Sequence, residues 1–300
     1  MKKTPYSIAE VNSRLISTET VSLWNSDEGP VYWYAANVPG PFYVNTERLI
    51  GREAAGKLLG TLSSIVQMAA SMSEKAALLR DAVLAEYLSN SDYQRVVANL
   101  RAVIAEQEIS GKFVISGGER RDWFFSVPLA YEARVPHVFL FKDGGIYVDT
   151  PIVDVNSKVT EVIHVADLIH NAASYTDLWI PSLRNHGISI KSTVAFISRG
   201  TAGLEILERQ GISARVVATI QENFFDRLCS QGLIGEEKLS ELQLYYASQT
   251  EWARKYIVSN PEVLQASQLD QKSRARLQAF LRDDPWGLAM GDGSKVPFPL

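Results

Sequence analysis

Cysteine is almost absent from this 300-residue chain, with Cys229 the single one. One thiol excludes an internal disulfide and a thiolate metal cluster, and it fits a reducing compartment. No stretch approaches the roughly 18 consecutive apolar residues of a membrane-spanning helix, so no membrane partner is expected. The N-terminus, MKKTPYSIAEVN, has lysines without an apolar core behind them and does not read as a secretory signal. Basic charge is not in excess: 30 Lys and Arg against 34 Asp and Glu give a net charge of −4, and nucleic acid is not an expected partner. The four histidines include no pair at metal-ligand spacing. Internal repeats and low-complexity blocks are missing as well. What remains is the profile of a soluble cytoplasmic protein, with 46% hydrophobic and 21% charged residues. The length allows one large domain or two modest ones.

In chain order, Ser7 precedes IAEVNSRLI and is placed to cap a short first helix. Residues 37–50, NVPGPFYVNTERLI, hold turn residues around a short β-prone piece, Phe42–Val44. From Glu53 to about Glu108 the pattern is helical, with breaks near Ser71–Ser73 and Ser89–Ser91, where capping residues cluster. Leu58, Leu59, Leu62, Ile65 and Val66 recur at helical spacing, as do Leu78, Leu79, Val83 and Leu84, and both sets read as core stripes. Beyond Lys112 short apolar runs take over. Phe113–Ser116, His137–Phe141, Val159–Ala166, Ser192–Ile197 and Ala214–Ile220 read as strands, and Ile146–Val148 as a hairpin arm after the KDGG turn. Helices are expected over 175–185 and 203–209. This alternation predicts an α/β fold, a mostly parallel sheet flanked by helices, with helical N- and C-terminal additions. The division expected is an α/β domain over 1–220, including the N-terminal helical region, and a helical extension over 221–300. The six tryptophans, Trp33 and Trp123 among them, read as packing residues.

Residues 162–176, VIHVADLIHNAASYT, join a buried-strand pattern to an acid, Asp167. A small-polar turn follows, and then a helix-like segment. Backbone N–H groups at such a turn and the helix dipole behind it favour an anion, and ligands of parallel sheets sit beyond the carboxyl ends of the strands. An ordinary βα unit without a ligand has the same pattern, and periodicity does not separate the two. His164, inside the apolar strand, reads as a core histidine bonded to backbone. His137 and His186 read as structural, and His170 lies on the ligand side of the turn.

Four segments, in order, resemble the type I phosphoribosyltransferases, and the orotate phosphoribosyltransferases most of all. GPFYVNTERLI (Gly40–Ile50) is similar to the segment after that family's first hairpin. VISGGERRDWFFSVPLA (Val114–Ala130) stands where the family has a strand, a pyrophosphate loop and a helix. VIHVADLIHNAAS lies on its signature of an apolar strand, two acids and a Thr- and Gly-rich turn. AFISRGTAGLEILERQGI (Ala195–Ile212) is similar to the strand and helix that follow. The resemblance spans roughly residues 37–220 and implies a phosphoribosyltransferase-like, Rossmann-like sheet. It also implies a small phosphorylated ligand, either phosphoribosyl pyrophosphate (PRPP) or a nucleotide, Mg²⁺ on the diphosphate, and a homodimer. The departures are specific. Ala166 stands for the first acid, Ala172 and Ala173 for the glycines, and His170 and Asn171 for the threonines. The family's basic closing loop is replaced by GGIYVDTPIVDVNSK, with Asp149, Asp154 and a lone basic Lys158; Lys142 matches the lysine that begins that loop.

Carried over residue by residue, the resemblance makes Asp167 and Lys142 the catalytic candidates. Gly117, Gly118, Arg120, Arg121, His170, Asn171, Ser174, Thr176 and Arg199 are the candidates for binding, and no protein metal ligand is assigned. Arg120 and Arg121 offer planar donor forks suited to a diphosphate; a solvated turn with Arg121 paired to Asp122 or Glu119 is the alternative. Arg199 matches an arginine that helps hold the base, although its acidic neighbour is here Ser198. Two functional classes follow. One is a ligand-sensing or assembly module that binds a phosphorylated ligand with weak or no transfer. The other is an active orotate-type transferase that moves ribose 5-phosphate from PRPP to a pyrimidine or related base. The halved acid pair and the missing basic loop favour the first.

Overall fold

Ser7 starts the first helix, α1 (Ile8–Ser17), through a reciprocal cap: Glu10 N–H donates to the Ser7 hydroxyl and Ser7 N–H to the Glu10 carboxylate. The computed structural model describes residues 3–25, 27, 29–106, 113–149, 159–258, 264 and 269–288. Four short strands follow α1: β1 (Val21–Leu23), β2 (Tyr32–Trp33), β3 (Pro39–Gly40) and β4 (Phe42–Val44), with β1 antiparallel to β4 and β2 to β3. A 3₁₀ segment, Thr46–Ile50, leads into α2 (Arg52–Gln67), α3 (Met72–Ser89) and α4 (Ser91–Ala105). The breaks fall where the sequence predicts, because Ser71 caps α3 with Glu74 and Asn90 caps α4 through the Tyr93 N–H. Leu58, Leu62 and Ile65 are buried on α2, and Leu79 and Val83 on α3. Leu78 is instead 42% exposed. The buried face of α3 runs Ala76, Leu79, Val83, Tyr87, and helical spacing puts position 78 outside it.

The second half of the chain builds one sheet. Its strands are β5 (Ile115–Gly118), β6 (His137–Leu140), β7 (Ile146–Asp149), β8 (Glu161–Ile169), β9 (Ser189–Arg199) and β10 (Ser213–Ile220), in the order β10-β9-β8-β5-β6-β7. Every neighbouring pair is parallel except β6 and β7, which form the expected hairpin. α5 (Trp123–Ala133) joins β5 to β6, and α7 (Ala202–Arg209) joins β9 to β10. A π-helical segment, Tyr175–Trp179, continues as α6 (Ile180–Asn185) between β8 and β9. All five runs predicted as strands lie in this sheet, since interior parallel strands are covered on both faces and read as near-continuous apolar stretches. Strand ends shift by one to three residues from expectation, and two of the shifts bear on the site. β5 starts two residues late and takes in Gly117 and Gly118, and β8 runs past Ala166 to Ile169, so Asp167 sits inside a strand.

The chain divides into two compact units. The first, Met1–Glu19 with Thr46–Gln221, contains the sheet and α1–α7. One face of its core gathers Ala166, Ile169, Ala172, Trp179, Ala195 and Leu207. Elsewhere in that unit Trp123 packs edge-on against Phe139, and Phe125 lies against Phe196. The second unit, Thr20–Asn45 with Glu222–Leu300, contains β1–β4 and the helices α8 (Glu222–Ser230), α9 (Glu236–Ala247), α10 (Gln249–Ala253) and α11 (Gln271–Asp283). Residues 20–45, expected with the first domain, group here because their rings find partners here: Trp24 with Trp252, Trp33 with Phe280, and Phe42 with Phe225. Most of the segment expected to replace a closing loop, including Asp154 and Lys158, lies outside the described residues, as does the tail from 289.

Candidate functional site

The sheet order reverses between β5 and β8: the chain proceeds from β5 outward to β6 and β7, then from β8 in the other direction to β9 and β10. Such a switch point opens a crevice beyond the carboxyl ends of the two strands. The β5–β8 ladder pairs Ile115 with Ile163 and Ser116 with His164, and goes no further. Past it the gap is bridged by one carboxylate, that of Asp122. Gly118 N–H donates to Asp122 Oδ2 at 3.0 Å, and Asp167 N–H donates to Asp122 Oδ1 at 2.9 Å. The side chain thus stands in for the missing ladder bonds and ties the two strand ends together.

A buried polar network continues from this bridge. His164 Nε2 lies 3.5 Å from Asp122 Oδ2, and His164 Nδ1 lies 3.0 Å from Ser116 Oγ. A Ser116 hydroxyl donating to Nδ1 leaves the Nε2 proton facing the Asp122 carboxylate. His164 is fully buried, as its place in an apolar strand predicts; its ring is held by side chains, where backbone was expected. On the crevice side, Thr46 donates its hydroxyl to Asp167 Oδ2 at 2.5 Å, and Leu168 N–H donates to Asp167 Oδ1 at 2.7 Å. The partner seen for Arg121 is Glu47, at 2.9 Å. Burial, and after it the neighbouring Asp122 charge, pushes the Asp167 carboxyl up to about 7; the Thr46 hydroxyl and Arg121 pull in the opposite direction.

All four carboxylate oxygens of Asp122 and Asp167 therefore already accept a protein donor. A Mg²⁺ ion needs several oxygen ligands with free lone pairs pointed at one centre. Each of these oxygens has one lone pair engaged, and among the described residues no cluster of three or more His, Cys, Asp or Glu could hold a metal.

The turn after β8 is partly self-satisfied. Ala172 C=O accepts from both Tyr175 N–H and Thr176 N–H at 3.0 Å, and the Asn171 side-chain oxygen accepts from Ala173 N–H at 3.3 Å. Ala172 has φ of +53°, a left-handed conformation that favours glycine. Its methyl is packed in the core cluster and does not line the crevice. The Thr176 hydroxyl donates to Asp177 at 2.8 Å. Asp177 lies in the first turn of the helical segment, where its charge competes with an incoming anion for the positive end of the dipole. Ser174 is exposed and makes no side-chain cap bond, so it is the turn hydroxyl best placed for a ligand.

The remaining candidates are dispersed. Gly117 and Gly118 are required by packing: a Cβ on Gly117 would fall 2.1 Å from Ser126 Oγ, and one on Gly118 would fall 2.3 Å from the Trp179 ring. Arg120 donates to Ser63 Oγ at 2.6 Å. Lys142 has an exposed side chain, and its N–H donates to the Glu119 carboxylate at 3.1 Å. Arg199 ends β9 near His170, whose pKa is held below the ordinary value by desolvation and then by the Arg199 charge. His137 is buried beside Ser126 and pushed down to about 3 by burial and then by His164; His186 caps α6 against the Ser182 carbonyl. Asp122, Thr46 and Glu47 were not singled out from the sequence. The acid two residues after Gly-Gly-Glu-Arg was visible as a charge, but its bridging role depends on strands that splay.

No protein-family model matches the chain, and no curated protein matches it in sequence. Among solved structures, the UMP synthase of Leishmania donovani aligns with 81% of this chain at 13% identity and a TM-score of 0.56. The aligned part is 42% of that protein, so the chain spans about two fifths of its length. An orotate phosphoribosyltransferase from Aeropyrum pernix aligns with 76% of this chain and 100% of its own, at 16% identity and a TM-score of 0.44. Another, from Francisella tularensis, aligns with 91% of this chain and 98% of its own, at 10% identity and a TM-score of 0.42. The fold is phosphoribosyltransferase-like: an α/β architecture with a six-stranded, mostly parallel sheet.

Proposed function

We propose that the chain binds a phosphorylated ligand, PRPP or a nucleotide, in the crevice at the β5–β8 switch point, and transfers ribose phosphate weakly or not at all. Its role is then ligand sensing or assembly. The observation that carries the reading is the state of Asp167, the one acid kept where the resembled enzymes use two. Its Oδ2 already accepts from Thr46 and its Oδ1 from Leu168, and it is poised to hold a proton near neutrality. A carboxyl so engaged is a poor acceptor for ribose hydroxyls. Removing one well-placed electrostatic group typically costs transition-state stabilisation of about 100- to 1000-fold, and the acid at position 166 is lacking as well. Binding asks for less. Ser174, His170 with Arg199, and Arg121 border the carboxyl ends of β5, β8 and β9, and the helical segment from Tyr175 contributes its positive end.

The test is calorimetry or thermal shift with PRPP, UMP, orotate and diphosphate, with and without Mg²⁺. Binding of PRPP or UMP at this crevice is expected, and Ser174→Glu abolishes binding there, read most directly with PRPP, by placing a carboxylate at the anion position. Orotidylate formation above background, lost in Asp167→Ala, would overturn the weak-transfer reading in favour of an active orotate-type enzyme. Absence of binding by any phosphorylated compound would remove both.

A further inference from the structure

The second unit contains a cavity of about 570 Å³ that is independent of the β5–β8 crevice, within the range of small-molecule sites. Trp24, Tyr32, Trp33 and Tyr43 line it, with the Tyr32 and Tyr43 rings 5.8 Å apart and inclined by 38°. The start of α11 adds Lys272 and Arg276 to the same lining. Arg276 is oriented by donating to the Trp33 carbonyl at 2.7 Å, which uses one of the five N–H groups of its guanidinium. Asp270 is the acid in the lining. It caps α11 by accepting from Ser273 N–H at 2.7 Å, so its charge is engaged within the helix start. Trp33 is 3% exposed, and its indole N–H has no acceptor among the described residues.

We propose that this cavity is a second binding site, for a planar aromatic anion of the nucleoside monophosphate class. The base lies against the Tyr and Trp faces, which favour any flat ring. The phosphate meets Lys272 and the remaining fork of Arg276. The lining combines aromatic rings with cations, so neither a ring nor an anion alone satisfies it.

The experiment uses the full chain carrying Ser174→Glu, so that the strand-end reading can fail or hold without affecting the result. Titrations with UMP and AMP, followed by tryptophan fluorescence and calorimetry, are compared with uridine and with inorganic phosphate. The expected result is nucleotide binding at least tenfold tighter than either fragment, weakened at least tenfold by Lys272→Glu and weakened by added salt. Lys272 is exposed, so its exchange leaves folding intact, which circular dichroism checks; Tyr43→Leu, which removes ring stacking, is the second variant and is expected to weaken UMP by a similar factor. No nucleotide binding, binding no tighter than that of uridine or phosphate, or binding unchanged by both variants overturns the proposal.

Discussion

Replacing Asp122 by Asn separates the two roles of the carboxylate that bridges β5 and β8. In the native chain Asp122 is 8% exposed and accepts from Gly118 N–H and from Asp167 N–H. An Asn side chain keeps one acceptor oxygen, so one of these buried N–H groups loses its partner at a cost of about 1–3 kcal/mol, and the other bond loses its charge assistance, worth about 1 kcal/mol more. A loss of about 2–4 kcal/mol is expected where Asp167 is protonated, within the ~5–15 kcal/mol typical of a domain. The pH dependence gives the sharper check. Asp167 keeps its proton up to about 7 when folded, against an ordinary value of 3.8. Between these values the folded chain binds the extra proton, so this group makes stability fall as pH rises from about 4 to about 7. Asn at 122 removes the neighbouring charge that contributes to the shift, while burial remains. The variant should therefore cost less at pH 8, where it relieves repulsion with ionised Asp167, than at pH 5, where there is none to relieve. Urea unfolding at the two pH values measures both. An equal loss at pH 5 and pH 8, or a loss below about 0.5 kcal/mol at pH 5, refutes the bridging account.

Thr46→Val removes the hydroxyl that donates to Asp167 and should raise the Asp167 pKa further while costing about 1 kcal/mol; carboxyl-carbon NMR titration reads it, and a fall would contradict the assignment. Gly118→Ala forces a Cβ to within 2.3 Å of the buried Trp179 ring and should cost about 1–3 kcal/mol in chemical denaturation; a neutral effect would show that the ring yields. Ala172→Gly relieves about 1–2 kcal/mol of left-handed strain, offset by about 0.4–1 kcal/mol of unfolded-state entropy and about 0.8 kcal/mol of lost methyl burial. Its melting temperature should stay close to that of the parent, and a loss above about 2 kcal/mol would mean the methyl matters more than the backbone. A homodimer, which the resemblance implies, is expected by light scattering at micromolar concentration, and a monomer mass there removes it.

The strands were legible because a sheet interior demands continuous apolar runs, and the helix breaks because Ser71 and Asn90 carry their caps locally. The site was legible only as a place. Asp167, Gly118 and Arg121 do meet at the switch point, but the partners that set their chemistry, Thr46 and Glu47, lie more than 70 residues away in sequence, where no periodicity reaches. The Gly-Gly pair looked like a phosphate approach because glycine is read for what it permits. Here it answers to Ser126 and Trp179, whose positions depend on tertiary packing. Residues 20–45 misled for a similar reason, since the ring partners of Trp24, Trp33 and Phe42 come from the far end of the chain.

Strand β8 stays paired with β9 through Ile169 and Ser198, so the acid at 167 is fixed by the sheet and not by the turn that follows. Residues 170–174 hang between two buried anchors, Ile169 and Tyr175, and of the five only Ala172 enters the core. The segment is in effect an exchangeable cassette. Its residues can be rewritten, by drift or by a designer grafting a glycine-rich turn, while the strands on either side of the crevice stay in register. Substitutions in this one continuous stretch leave the pairing of β8 with β9 in place, and the fold does not have to be rebuilt around them.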